Sequence, residues 1–220
     1  IPRSIAARAY RPTVSWLVVP PPPTMVLVAD ATASPDPLTV AVVLAAGGGS
    51  RWDGPGHKLL AELDGMAVVQ RAVRAAVDAA IGPVVVVTGA VPLEELVAGV
   101  EVVVNDRWAS GQASSLQLGI ARADALGADA VVVGLGDQPA VGVDTWRAVA
   151  AGRGQIAVAT YDGDRRPPVR LAREVWSLLP ESGDEGARAL LRLRPELVTE
   201  VACAGDPRDV DRMEDLGRWS

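Results

Sequence analysis

Lys58 is the only lysine in this sequence; every other basic side chain is an arginine. Shortly before it comes the stretch Leu44-Ala45-Ala46-Gly47-Gly48-Gly49-Ser50-Arg51. Three glycines in a row let backbone N–H groups converge on an anion, because no Cβ blocks the approach. Arg51 and Lys58 bring two positive charges to the same place, a combination that suits phosphate. Asp137 supplies the opposite charge. It stands between Gly136 and Gln138-Pro139, directly after a valine-rich run. Magnesium takes oxygen ligands, commonly one or two protein carboxylates plus phosphate oxygens. Asp137 fits that use, and Asp211 is the candidate second carboxylate. The plainer readings are a turn cap for Asp137 and a helix N-terminal acid for Asp211. Ser114 and Ser115 suit helix capping, ligand binding or both. His57 is the sole histidine and has no partner histidine or cysteine to make a metal site.

These residues need a scaffold that gathers them. Apolar runs at Val40–Ala46, Val84–Thr88, Val100–Asn105, Ala130–Leu135, Ile156–Tyr161 and Leu197–Ala202 predict strands. Helical patterns lie between them at Ala67–Ala80, Pro92–Ala98, Ser114–Leu126, Val143–Ala151, Ala172–Leu179, Glu185–Leu193 and Val210–Leu216. Alternating strands and helices imply right-handed crossovers and a mostly parallel sheet covered on both faces. Such a sheet binds ligands beyond the C-terminal ends of its strands. The glycine loop, the segment after Asn105 and the Asp137 turn all fall there.

Composition narrows the classes. The formal net charge is −6 and arginines form no stripe, which argues against nucleic acid as partner. The single Cys203 excludes an internal disulfide and a cysteine metal cluster, and reads as a small core residue. Residues 1–37 differ from the rest. They hold Pro20-Pro21-Pro22-Pro23 and end in Ser34-Pro35-Asp36-Pro37, predicting a flexible proline-rich tail before a single domain over 38–220. Trp16–Val19 is too short to span a membrane. Arg3, Arg8 and Arg11 ahead of it faintly resemble a secretory leader, but the four prolines interrupt its apolar core. The expected location is cytoplasmic. Two common nucleotide motifs are absent. Counting from Gly47 and Gly49, the third glycine of a dinucleotide fingerprint is replaced by Trp52, and Thr88-Gly89 stands where its acid belongs. A P-loop needs Gly-Lys-Ser/Thr, and Lys58 lies between His57 and Leu59.

Taken together, the motifs resemble the MobA-like nucleotidyltransferases, and among them the molybdenum cofactor cytidylyltransferases. The resemblance rests on Leu44 to Gly47 with Gly49, Arg51 and Lys58-Leu59-Leu60. It continues with Asn105, Trp108, Gly111, Ser114-Ser115-Leu116, then Gly136 to Pro139 and Pro168-Val169. It closes with Gly183-Asp184-Glu185-Gly186-Ala187-Arg188 and Asp209 to Leu216. It implies a Rossmann-like three-layer α/β/α fold of the nucleotide-diphospho-sugar transferase type. It implies transfer of CMP from CTP to the phosphate of molybdenum cofactor, releasing pyrophosphate, with Mg²⁺ as cofactor. Arg51, Lys58 and Asp137 would be catalytic, and Asp137 and Asp211 would hold the metal. Leu44, Ala45, Ala46, Gly47, Gly48, Gly49, Lys58, Asn105, Ser114 and Ser115 would bind nucleotide. A molybdenum hydroxylase is the implied partner. Ala46 favours CTP, since guanylyl members more often carry Leu-Ala-Gly-Gly. The alternatives are a guanylyl or other transferase with a different phosphorylated acceptor, a sugar-1-phosphate nucleotidyltransferase, and a non-catalytic cofactor chaperone. Two departures stand out. Asp53 to His57 lengthens the loop before Lys58 by about two residues, which bears on how Lys58 reaches the phosphates. Arg165-Arg166-Pro167 replaces a small glycine-containing approach to Pro168-Val169, which bears on the acceptor.

Overall fold

The computed structural model describes residues 37–219; the proline-rich tail expected over 1–37 lies outside the described residues apart from Pro37. In chain order the elements are β1 (Thr39–Ala45), a small hairpin of β2 (Glu62–Leu63) and β3 (Met66–Ala67), α1 (Val68–Asp78), β4 (Val84–Thr88) and β5 (Glu101–Val104). They continue with α2 (Gln112–Ala125), β6 (Ala130–Leu135), α3 (Val143–Ala150), β7 (Ile156–Tyr161), β8 (Asp164–Ala172), α4 (Ala187–Leu193), β9 (Val198–Ala202) and α5 (Met213–Leu216). The central sheet runs β5-β4-β1-β6-β8-β7-β9. Its β1, β4, β5 and β6 pair in parallel, as do β7 and β9, whereas β8 is antiparallel to both its neighbours.

The period of two along β1 explains the layering. Val40, Val42 and Leu44 face one side with Leu116 and Ile120 of α2, Trp176 of the 3-10 turn Arg173–Leu178, and Leu190 and Leu191 of α4. Ala41, Val43 and Ala45 face the other side with Val69, Val73 and Ala76 of α1 and Trp146 and Val149 of α3. A strand covered on both faces must be apolar at every position, and β1 is buried from Val40 to Ala45. The fold is thus a mostly parallel, three-layer α/β/α arrangement.

Five expectations change. A strand, β8, occupies Asp164–Ala172, where polar Arg165-Arg166 and two prolines conceal it; the expected helix from Ala172 is a 3-10 turn instead. Residues 92–98 form no helix; consecutive turns run over 94–99 instead. The final helix begins at Met213, not Val210, because Asp215 holds the N–H groups of Asp211 and Arg212 at its start. Ser114 and Ser115 do not cap α2; its N-cap is Gly111.

The antiparallel strand has a positional effect. A two-residue turn, Asp162-Gly163, with φ of 52° and 92°, joins β7 to β8 in the geometry that suits tight hairpins. The start of β8 therefore lies at the edge where β1 and β6 end. Two extra residues, Pro167 and Pro168, separate the pairs Val158↔Val169 and Ala159↔Arg166. Prolines have no N–H to give the ladder, so an irregularity is accommodated there.

Candidate nucleotide and metal site

β1 and β6 end side by side, and their loops meet. Gly136 donates its N–H to the carbonyl of Leu44 (2.9 Å), locking the Asp137 turn to the glycine loop. Lys58 folds under both, with its side chain mostly buried. Its Nζ lies 2.5 Å from Asp137 Oδ2 and 3.2 Å from Asp211 Oδ1. Arg51 reaches the other Asp211 oxygen at 2.7 Å. Burial pulls the Lys58 ammonium down, but the Asp137 and Asp211 carboxylates more than offset this and hold its pKa above the usual lysine value. Two cations thus face two carboxylates beside a loop of open backbone amides.

The long loop before Lys58 is folded back rather than extended. His57 presents Nδ1 to the N–H of Leu59 (3.3 Å) and Nε2 to the carbonyl of Gly47 (3.0 Å). Accepting at Nδ1 requires the neutral ring with its proton on Nε2, which then donates to Gly47. Burial lowers the pKa of His57, which favours that neutral form. Asp53 accepts from the N–H of Met213 (2.8 Å), tying the loop to the segment carrying Asp211. These bonds fix the loop from Asp53 to His57 while Lys58 reaches Asp137 and Asp211.

Asp211 is brought in from the far end of the described chain by Gln138. That side chain is almost fully buried and donates both Nε2 hydrogens, to the Pro207 carbonyl (2.7 Å) and to Asp209 (2.8 Å). Val210 adds a backbone bond to the Asp137 carbonyl (2.9 Å). Burial, and then the nearby Asp137 charge, raise the pKa of Asp209. Gln138 therefore turns away from the ligand cleft and fastens one carboxylate loop to the other.

The cleft has adjoining segments. One, of about 240 Å³, is lined by Leu44, Ala45, the glycine loop, Arg51, Lys58, Asp137 and Asp211. The next, of about 360 Å³, shares Leu44, Gly47, Gly48 and Asp137 and adds Ala46, Trp108, Ser115 and Asp184. Trp108 lies against Gly48 so tightly that a methyl there would sit 2.8 Å from its ring. Asn105 and Ser114, expected to bind nucleotide, line neither segment. Asn105 spends its amide donors on Ser114 Oγ and Ser115 Oγ (2.9 Å each) and its oxygen on the N–H of Arg107 (2.9 Å). The Ser114 hydroxyl lies within donating distance of the Gly111 carbonyl (2.9 Å). A buried polar group must be paired, and these are paired with one another beneath the cleft floor. Gly111 is required where α2 starts: its φ is 108°, and an added Cβ would lie 2.5 Å from the Gly183 carbonyl.

The donor set suits a hard divalent cation. Asp137 and Asp211 offer carboxylate oxygens on one side of an open cleft, and no group of three or more His, Cys, Asp or Glu forms a cage among the described residues. Such a pair leaves most coordination positions to water and phosphate, as magnesium prefers. Sequence reasoning located Arg51, Lys58, Asp137 and Asp211, which come together here. It missed the work of His57, Gln138 and Asp215; for Asp215 the four-residue spacing from Asp211 before a helix was the available signal.

The fold and this cleft define a nucleotidyltransferase of the nucleotide-diphospho-sugar transferase type. Residues 41–201 match the MobA-like NTP transferase domain, and the chain belongs to that family. Nicotine blue oxidoreductase of Paenarthrobacter nicotinovorans is 32% identical over 201 residues, covering 83% of this chain and 96% of that protein. Purine catabolism protein PucB of Bacillus subtilis is 34% identical over 110 residues, 48% of this chain and 54% of PucB, so the match spans about half of that relative. A nucleotidyl transferase from Methanothermobacter thermautotrophicus superposes with a TM-score of 0.72 at 27% identity, covering 82% of this chain and 95% of that one. Rv0371c of Mycobacterium tuberculosis gives 0.70 at 30% identity, covering 83% and 97%; it has also been solved with manganese. No helix among the described residues is long and apolar enough to cross a membrane.

Proposed function

We propose that this protein moves CMP from CTP to the terminal phosphate of molybdenum cofactor and releases pyrophosphate, as a single cytoplasmic domain over residues 38–220. The observation that carries the reading is the sole lysine of the chain held between Asp137 and Asp211 at the mouth of the glycine loop. The glycine-loop N–H groups and Arg51 hold the β- and γ-phosphates. Lys58 turns from the carboxylates to the α-phosphate and neutralises the charge that develops there. Asp137 and Asp211 would hold Mg²⁺, which when bound neutralises phosphate charge. The acceptor phosphate is already an anion, so no general base is required. Its oxygen attacks the α-phosphorus in line, the bond to the bridging oxygen of the β-phosphate breaks, and pyrophosphate leaves. Catalysis is positioning plus charge stabilisation.

Ala46 lines the wider segment, which supports a base preference set at that position. PucB is named for purine catabolism and the other relative for nicotine blue; both names concern heterocycles, which supports a molybdenum hydroxylase as recipient of the product. The name of the second relative also supplies a rival, an oxidoreductase. The deciding assay mixes protein, Mg²⁺, CTP or GTP, and molybdenum cofactor. Pyrophosphate release with CTP is expected. Release with GTP alone shifts the nucleotide. Absence of release with either nucleotide, with consumption of a reduced nicotinamide or flavin, overturns the transferase reading.

A further inference from the structure

Most arginines near the cleft are already neutralised. Arg51 pairs with Asp211 (2.7 Å), Arg165 with Glu200 (2.8 Å) and Arg192 with both oxygens of Glu185 (2.7 Å each). Arg166 and Arg188 differ. Among the described residues neither guanidinium has a hydrogen-bond or ion-pair partner, although the chain carries an excess of acidic groups. Both line one further segment of the cleft, together with the paired Arg165 and Glu185 and an apolar wall that includes Leu116, Val133, Val169 and Leu191. This segment shares Leu44, Gln112 and Leu135 with the wide segment that reaches Asp137, so the two are continuous. It lies over β6 and β8, whereas Lys58 and Asp211 line the segment at the other end of the series.

Arg166 and Arg188 are exposed, and the one carboxylate on this wall, Glu185, has both oxygens on Arg192, so the two guanidinia are left to attract an incoming anion. The planar fork of each fits phosphate and carboxylate oxygens two at a time. The segment is also narrow, about 40 Å³ against about 360 Å³ next door. It has room for a small group and not for a ring system. The bulge at Pro167-Pro168 separates Arg166, which pairs with Ala159, from the part of β8 that resumes at Val169.

Resting on the transferase reading above, we infer that the acceptor is two-headed. One phosphate is attacked beside Asp137, the body of the acceptor occupies the wide segment, and a second anionic group binds Arg166 and Arg188. The substrate class is therefore an acceptor that carries an anionic group besides the phosphate under attack, and a compound with that phosphate as its only anion is a poor substitute.

The test is equilibrium binding of two probes to the full chain with Mg²⁺ and a non-hydrolysable CTP analogue: phenyl phosphate and 4-carboxyphenyl phosphate. The bis-anion is expected to bind roughly tenfold tighter, as one charge-assisted contact is worth. The Arg166→Gln and Arg188→Gln double variant should erase that difference and leave affinity for the CTP analogue intact. Arg153→Gln, at an exposed arginine outside the cleft, should change nothing. Equal binding of the probes, binding of neither at millimolar concentration, or a preference that survives in the double variant overturns the inference. Pyrophosphate release is scored separately, so the transferase reading can fail while the probe preference stands, or the reverse.

Discussion

The two sides of the cleft are built by different means. On the β1–β4–β5 side the strands are parallel and regular, and the ligand surface is mostly main chain: open glycine amides fixed by Gly136 N–H on Leu44. On the β8 side the strand runs backwards, carries a bulge, and offers side chains: Arg165, Arg166 and, from α4, Arg188. A surface of backbone amides offers the same donors at every position and suits a group common to every turnover, such as a triphosphate. A surface of side chains on irregular backbone can be rewritten residue by residue and suits the group that distinguishes one enzyme from its relatives.

The largest effect is expected where the two sides meet. Asp137→Ala should lower pyrophosphate release by about a thousandfold or more, since it removes charge control at the reacting phosphates. The far-ultraviolet circular dichroism should be unchanged; activity within tenfold of the parent would remove Asp137 from the site. Lys58→Ala should cause a similar loss with an opposite sign in a second measurement. Without Lys58, Asp137 and Asp211 face no buried ammonium, so Mn²⁺ titrated in the absence of nucleotide should bind roughly tenfold tighter, followed by electron paramagnetic resonance. Unchanged or weaker binding would show that the lysine does not compete with the metal.

Next comes the support beneath the nucleotide side. Asn105→Ala strands the buried hydroxyl of Ser115, takes one partner from that of Ser114, and should cost about 2 kcal/mol in urea unfolding. A ligand-only role for Asn105 would leave stability untouched and raise the KM for CTP alone. By contrast, two glycines inserted between Asp162 and Gly163 should cost less than about 1 kcal/mol, because lengthening an exposed turn is a small entropic charge. They should alter the KM for acceptor more than that for CTP.

The smallest effect is a pH dependence. The folded pKa of His57 lies below its ordinary value of 6.5, because burial disfavours the charged ring. Below pH 6.5 the unfolded chain binds a proton that the folded chain resists, so stability is full above that pH and falls as pH drops through it. His57→Gln should flatten this slope in thermal melts between pH 7 and 5; an unaltered slope would assign it to other groups.

The parallel half of the fold was legible because the physics there is local. Val84–Thr88, Ala130–Leu135 and Ile156–Tyr161 are apolar except for Thr88 and Thr160, and their predicted limits match the observed ones. β8 was hidden because its exposed head, Arg165-Arg166, and its prolines lack the apolar signature; pairing with β6 and β7 makes it a strand. Glycine-loop residues with Arg51, Lys58, Asp137 and Asp211 could be gathered from charge and strand ends. Asn105 and Ser114 could not be told from ligand contacts, since a polar side chain beneath a cleft has the same letters as one facing it. Gln138 posed the same difficulty: only the fold shows that it faces Pro207 and Asp209.

The reversed direction of β8 has a consequence for how this scaffold can be altered. Along a parallel strand, only the outgoing loop reaches the ligand edge, and that loop must also lead back across the sheet. The Asp162-Gly163 turn reaches the same edge but merely joins two strands already hydrogen-bonded to each other. New sequence added there has no crossover to complete, so acceptor recognition could be exchanged by grafting a hairpin tip, leaving the path of the remaining chain as it is.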